Sequence, residues 1–431
     1  MSKKHTKTKS GRSRTSRSNH AENSDTTVVG KNGTIDDGHE SISESLTRKI
    51  VSKKTPSLLA EETKKAVEDL ETEIVNAHRK IAAIVLREEP PTDDLDISQS
   101  CVISRKILGN YVTLDWQHCA EIIKMKDTIG KYAKDKKRKR PLNIVLQADP
   151  GSGKSHFIRC LAENMQADDV KQVAFNMTTM QYLDDLAKPI EAVRNFKVSD
   201  KLPLLFLDEF DAVPDKFPIL LPLLWDGELQ LGEHYLKVGK VVIVMAGSQG
   251  NIKRVMQSAK GMGRGVRDDA GKLPDLLSRI NGGDFTIPSL DDDTGGRNRR
   301  VDKVCIAVSL LLKRFEWLEI VPWPLLRFVA KVEFRYGVRS ITHFIDLIGE
   351  ISEDARGLEM EQLALPLQDP SSLKDSSLAY HLISEAEDAP SEVIRLWEQM
   401  SKHNVPVRIR SEEEQHEPSF GPLRRFLCAR N

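Results

Sequence analysis

Lys154 and Ser155 stand at the end of Ala148-Asp149-Pro150-Gly151-Ser152-Gly153, which itself follows the apolar residues Leu142, Ile144, Val145 and Leu146. The apolar run reads as a short buried strand, and Lys154 and Ser155 open an amphipathic helix carrying Phe157, Ile158, Leu161 and Met165. Strand, glycine loop and helix in this order suit a triphosphate. Backbone N–H groups of a tight loop and the positive end of a helix surround phosphate oxygens without ordering long side chains. The Lys154 ammonium would reach the outer phosphates and the Ser155 hydroxyl would hold Mg²⁺. Asp149, Pro150, Gly151, Ser152, Gly153 and His156 complete the stretch expected to wrap the nucleotide. Ala148 occupies a position where the strict pattern has glycine, and Asp149 brings a carboxylate near a phosphate site. The reading therefore requires a negative φ at Ala148 and an Asp149 side chain turned away.

A second set of chemistry-bearing residues lies further on. Leu204, Leu205, Phe206 and Leu207 form a buried apolar run that ends in Asp208 and Glu209. Open α/β sheets place their chemistry at the carboxyl ends of strands. Asp208 there suits a Mg²⁺ ligand, and Glu209 suits a group that orients and polarises an attacking water. A later apolar run over 241–245 ends in Ala246, Gly247 and Ser248. Ser248 comes beside Glu209 if these two strands flank the phosphate-loop strand; a strand-end serine that caps the next helix is the plainer alternative.

The elements that must position these groups alternate between strand and helix, the pattern of an α/β fold with a parallel sheet. A strand is predicted over 170–176 and a helix over 182–196, with Leu183, Leu186, Ile190 and Val193 on one face and Pro189 as a kink. A helix over 115–134 leads into a basic run, Lys134, Lys136, Lys137, Arg138, Lys139 and Arg140. Residues 224–239 read as a helix end followed by a small hairpin. Three helical patterns over 301–315, 324–336 and 338–351 follow the last strand.

The series Ala148-Asp-Pro-Gly-Ser-Gly-Lys-Ser155, Leu204-Leu-Phe-Leu-Asp-Glu209 and Ala246-Gly-Ser248 resembles the Walker A, Walker B and sensor 1 motifs of the AAA+ ATPases, over roughly residues 105–352. Two further stretches extend the resemblance. Leu273-Pro-Asp-Leu-Leu-Ser-Arg-Ile280 precedes a short strand, where that family carries its arginine finger, which implies Arg279; Arg264 and Arg267 in the glycine-rich loop over 260–272 are rival positions. Tyr336-Gly-Val-Arg-Ser340 resembles sensor 2 and implies Arg339 as a lid arginine. The resemblance implies a P-loop parallel-sheet core with a small helical lid, ATP and Mg²⁺ as cofactors, Ser248 as a γ-phosphate sensor, and a homo-oligomeric ring if Arg279 acts on a neighbour. It points to a bacterial-type member without fixing the subfamily. Between the strand over 170–176 and the next helix the chain shows only Met177, Thr178, Thr179 and Met180, without the aromatic pore-loop pattern of protein-unfolding members.

The remainder of the 431 residues frames this core. Residues 1–55 are polar, with an acid-free basic start, and are expected to be disordered. Residues 56–100 hold a helix with a heptad seam (Val67, Leu70, Ile74, Ala77, Ile81, Ile84) and a linker; the seam serves either self-pairing or docking on the chain's own core. The core is expected over 101–292, the lid over 300–352 and a partly disordered appendage over 353–431. Lysine plus arginine equal aspartate plus glutamate at 64 each, so no net field steers the whole molecule to nucleic acid or membrane. Five cysteines without paired spacing argue for a reducing compartment, and no run is long and apolar enough for a spanning helix, so the cytoplasm is expected. The composite expectation is a Mg²⁺-dependent ATPase that remodels an unidentified macromolecular client. The alternatives are an ATP-gated assembly switch with negligible turnover, and a nucleic-acid-associated ATPase using the basic arm and the 134–140 run.

Overall fold

The structure, a computed structural model, describes residues 61–410 except 88, 90–94, 166–169, 200, 232–233, 249–272, 292–298, 353–355, 364, 369, 383–388 and 403–404. The basic arm, the break after the heptad helix, the loop with Arg264 and Arg267, and the charged tail lie outside the described residues. Helix α1 (Glu61–Val85) buries Ile74, Ala77, Ile81 and Ile84 within the chain itself. Its last turn is tied down by Trp323, whose indole N–H donates to the Ile84 carbonyl at 2.7 Å. The lower half of the heptad seam is thus spent on intramolecular packing.

Strand β1 (Leu95–Asp96) and α2 (Ser98–Ile103) lead to α3 (Trp116–Lys134), whose first turn is capped by the Asp115 carboxylate accepting from the His118 N–H. The core follows as β2 (Leu142–Ala148), α4 (Lys154–Asn164), β3 (Val170–Asn176), α5 (Ala187–Val198), β4 (Leu202–Asp208) and α6 (Phe217–Asp226). A hairpin of β5 (Glu228–Leu231) and β6 (His234–Lys237) precedes β7 (Val242–Gly247), short helix α7 (Leu273–Leu277) and β8 (Gly283–Ile287). Five of these strands form one parallel sheet in the order β3-β4-β7-β2-β8. Alternation along the central strands divides the core. Leu142, Ile144, Leu146, Leu204, Phe206, Val242 and Val244 face one cluster, whereas Val145, Leu205, Leu207, Ile243 and Met245 face the other.

After the sheet come α8 (Arg300–Arg314), β9 (Ile320–Pro322), α9 (Trp323–Lys331) and α10 (Val338–Asp346). The chain continues through α11 (Pro370–Asp375) and α12 (Ala389–Ser401) to β10 (Pro406–Arg408). Strand β10 pairs parallel to β1 and antiparallel to β9, so segments far apart in sequence close one small sheet. Among the described residues no helix is long and apolar enough to cross a membrane.

Two expectations are corrected. The strands ending in Glu209 and Ser248 do not flank the phosphate-loop strand. Val242 pairs with both Leu142 and Leu204, so β7 lies between β2 and β4, and β8 takes the other side of β2. Every central strand is an apolar run, so its place in the order is not written in its own residues. The helix expected over 182–196 begins only at Ala187. Before it, the Asp185 carboxylate accepts the N–H groups of Gln181 and Tyr182, both at 2.8 Å, and closes a 3₁₀ turn at Leu183–Leu186. Pro189 consequently falls in the first helical turn, where its missing N–H breaks no intrahelical bond and no kink is needed. The connection between β3 and α5 therefore includes Tyr182, which is 73% exposed.

Candidate functional site

Parallel register brings the strand ends together. Gln147 pairs with Gly247 and Asn176 with Asp208, so the residues that follow β2, β3, β4 and β7 converge on one edge of the sheet. A cleft of about 390 Å³ opens there, lined by Pro150, Gly151, Gly153, Lys154, Ser155, His156, Asp208, Glu209, Asp211, Ala212, Gly247, Ser248, Val338, Arg339 and Thr342. Asp149 and Ser152 are not in its wall; Ser152 turns back, with its N–H and Oγ–H both donated to the Asp149 carbonyl, at 3.2 and 2.7 Å. Arg279 is not in the wall either.

The loop geometry follows from its residue types. Ala148 is the last residue of β2, paired with Ile287 and free of any positive φ, which is why alanine serves where a glycine was expected. Gly151 has φ of +83°, and a Cβ added to it would lie 2.1 Å from the Tyr336 carbonyl oxygen. Only glycine lets the loop and the lid touch at this point. Lys154 donates from Nζ to the Ala148 carbonyl at 3.2 Å, and Ser155 Oγ donates to Asp208 Oδ2 at 2.9 Å. His156 lines the cleft with Nε2 3.2 Å from the Asn110 carbonyl and 3.6 Å from Cys160 Sγ. Burial, with Glu163 nearby, pushes the Cys160 thiol up to about 11, so it remains protonated.

At the end of β4 the chain makes a turn that separates three carboxylates. Glu209 has φ of +55°, a left-handed conformation costly to a residue with a Cβ, and it begins the 3₁₀ turn Phe210–Ala212. Asp208 thereby faces Ser155, while Glu209 Oε2 accepts from Asn176 Nδ2 at 3.1 Å and Thr178 Oγ1 at 3.3 Å. Asp211 Oδ2 accepts both the N–H and the Oγ–H of Ser248, each at 3.0 Å. An added Cβ on Gly247 would lie 2.7 Å from the Asp211 carboxyl carbon, so this pairing also needs a glycine before the serine.

The lid reaches the loop by backbone. The Val338 N–H donates to the Gly151 carbonyl at 3.1 Å, and Arg339, the next residue, is exposed on the wall of the cleft. Arg279 sits just past α7, with a guanidinium N–H donated to the Asp275 carbonyl at 2.6 Å and its own carbonyl accepting from Asn143 Nδ2 at 2.9 Å. The cleft thus gathers Lys154, Ser155, His156, Asp208, Glu209, Ser248 and Arg339 and leaves Arg279 outside. Sequence reasoning missed Asn176 and Asp211. An amide ending the strand before the acids was a readable signal for Asn176. The third acid in Asp208-Glu-Phe-Asp211 was a signal for Asp211.

No curated protein matches the chain. Residues 144–258 match the family described as ATPase family associated with various cellular activities (AAA). The matched stretch contains the phosphate loop, the acids after β4 and Ser248, whereas Arg279 and Arg339 lie beyond it. Because the match runs through the strands and loops that build the cleft, residues 144–258 are placed as an ATPase domain of this AAA family.

Proposed function

We propose that the cleft binds ATP with Mg²⁺ and hydrolyses it, and that the energy remodels a macromolecular client. One observation carries this reading: the hydrogen bond from Ser155 Oγ to Asp208 Oδ2 at 2.9 Å, which joins the phosphate loop to the acid at the end of β4. A hydroxyl and a carboxylate side by side are hard oxygen donors that fit Mg²⁺, an ion that takes its other ligands from water and phosphate. Among the described residues no group of His, Cys, Asp or Glu forms a self-sufficient metal cage, which agrees with a metal held largely by its nucleotide. When bound, Mg²⁺ neutralises charge on the phosphate oxygens. The protein's own groups do the rest. Pro150, Gly151, Gly153 and the start of α4 cradle phosphate, and Lys154 adds a point charge. Glu209 orients and polarises water, Ser248 contacts the terminal phosphate, and Arg339 closes the site from the lid.

Residues 101–292 serve in this reading as the nucleotide-binding core and 300–352 as the lid, whose angle to the core would follow the nucleotide. Arg279 acts on a neighbouring copy in a ring; its position at the end of α7, outside its own chain's cleft, supports this role. A cation delivered to the transferring phosphoryl group is worth roughly 10³ to 10⁵ in rate. Tyr182, exposed between β3 and α5, supports contact with a client chain, because an exposed aromatic ring offers apolar surface beside a polar tip. A second reading, an ATP-gated switch with negligible turnover, draws on the restraint of Glu209 by Asn176 and Thr178.

Steady-state ATPase measured against protein concentration, with mass by light scattering, separates the two. The expected result is cooperative activity that is lost in Glu209→Gln and Arg279→Ala while Glu209→Gln still assembles with ATP. Equal, negligible turnover in all three proteins with ATP binding intact would replace hydrolysis by the switch.

A further inference from the structure

The lid turn that carries Arg339 touches the phosphate loop in front and a distant part of the chain behind. In front, Tyr336 packs its carbonyl on Gly151 and Val338 donates to the Gly151 carbonyl. Behind, residues of the segment that follows the lid form the support. Phe334 and Leu382 make an antiparallel bridge, and the Arg335 N–H donates to the His381 carbonyl at 2.9 Å. The side chains continue this contact. Ser340 Oγ, fully buried, accepts the Tyr336 N–H at 3.1 Å and lies 3.0 Å from His381 Nδ1. The His381 ring meets the Tyr336 ring edge-on at 5.7 Å and stacks on His343 of α10 at 4.2 Å.

We propose that His381 is a positioning residue for Arg339, an inference that rests on the ATPase reading of the cleft. The Tyr336 peptide is gripped from two sides. Its carbonyl is pressed against Gly151, and its N–H is held by the hydroxyl that His381 fixes. Arg339 is three residues further on and one residue before Ser340, so its backbone direction is set by the same pair of contacts. A long arginine that must meet developing charge gains rate only when its base is held in place, since small misplacements of catalytic groups cost large factors. The segment after the lid is therefore a working part of the nucleotide site.

The test uses the full chain and compares wild type with His381→Ala, His381→Asn and Arg339→Ala for ATP turnover, ATP binding and melting temperature. His381→Ala is expected to lower kcat roughly tenfold, with KM for ATP shifted less than about threefold. His381→Asn places an amide, donor and acceptor together, where Nδ1 stands, and is expected to return kcat to within about threefold of wild type. Combined with Arg339→Ala, the alanine change at 381 should add no further loss. Unchanged kcat in His381→Ala, a loss additive with Arg339→Ala, or an asparagine variant no better than alanine would each overturn the proposal. If His381→Ala does not fold, Ser340→Ala cuts the same link while keeping the imidazole, and wild-type turnover in that variant is overturning. A wild type that turns over ATP while His381→Ala matches it removes this proposal alone; a wild type without turnover removes the ATPase reading and this proposal with it.

Discussion

The carboxylate of Glu209 is held by Asn176, whose amide nitrogen lies 3.1 Å from Oε2, in a pair of residues delivered by adjacent strands. Thr178 Oγ1 approaches the same oxygen at 3.3 Å. A carboxylate occupied in this way is less available to water in the cleft. Hydrogen bonds to charged groups are worth about 1.5–3 kcal/mol, so releasing this one is expected to matter. Asn176→Ala should raise basal kcat by roughly three- to tenfold with little change in KM. Steady-state ATPase without any client checks it, and Glu209→Gln in the same background should abolish the gain.

Asp211 supports Ser248 through two hydrogen bonds to a single oxygen, each at 3.0 Å. Asp211→Ala leaves the Ser248 N–H without its acceptor and frees the hydroxyl to rotate. The expected outcome is a loss of about 1–2 kcal/mol in stability and a fall of roughly tenfold in kcat. Asp211→Asn keeps an acceptor oxygen and should recover most of both. Thermal melts and ATPase assays on the two variants decide whether the carboxylate acts by its shape or by its charge.

The parts of this site that were legible in the sequence are contiguous. Asp208, Glu209 and Ser248 stand at or just past the ends of apolar runs, and Lys154 and Ser155 follow another by one short glycine loop, so chemistry at a strand end can be inferred from the strand and its loop alone. Asn176 and Asp211 left a signal in their residue types but not in their partners, and His381 left none, because each acts on a residue from another segment and only packing sets those distances. Tyr182 was hidden by periodicity: Leu183, Leu186 and Ile190 fit a helical face, and the Asp185 turn that delays the helix is a local side-chain choice. The sheet of β1, β10 and β9 joins residues 95–96, 406–408 and 320–322, too short and too distant to leave a pattern. Arg279 and Arg339 look alike as isolated arginines, yet only Arg339 lines its own chain's cleft.

At Gly151 the phosphate loop and the turn before α10 touch by backbone. Gly151→Ala would set a Cβ 2.1 Å from the Tyr336 carbonyl oxygen at a backbone φ of +83°. The neighbour is backbone and cannot swing aside, so the loop or the lid must move. Loss of the Val338 to Gly151 hydrogen bond, at 3.1 Å, is the expected consequence. ATP affinity should fall by roughly five- to a hundredfold, since strain of this kind costs about 1–3 kcal/mol. Calorimetric titration with a non-hydrolysable ATP analogue measures it, and Ser152→Ala, beside it but outside the cleft wall, should bind within about twofold of wild type.

Arg299 ties the start of the lid to the base of the core through charge. It is 2% exposed, donates from Nε to Asp302 Oδ2 at 2.9 Å and approaches Asp115 Oδ2 at 4.0 Å. Asp302 in turn accepts from the Thr113 hydroxyl at 2.9 Å and the Leu114 N–H at 2.6 Å, so one buried carboxylate holds both the entry to α3 and the first turn of α8. Arg299→Met removes the cation and leaves the acids buried, a change that costs about 3–5 kcal/mol. Arg299→Met with Asp302→Asn should recover a large part of that loss, because the amide no longer carries a charge needing a partner. Urea denaturation of the three proteins at neutral pH checks both statements. A double variant no more stable than Arg299→Met would show that Arg299 stabilises by packing alone.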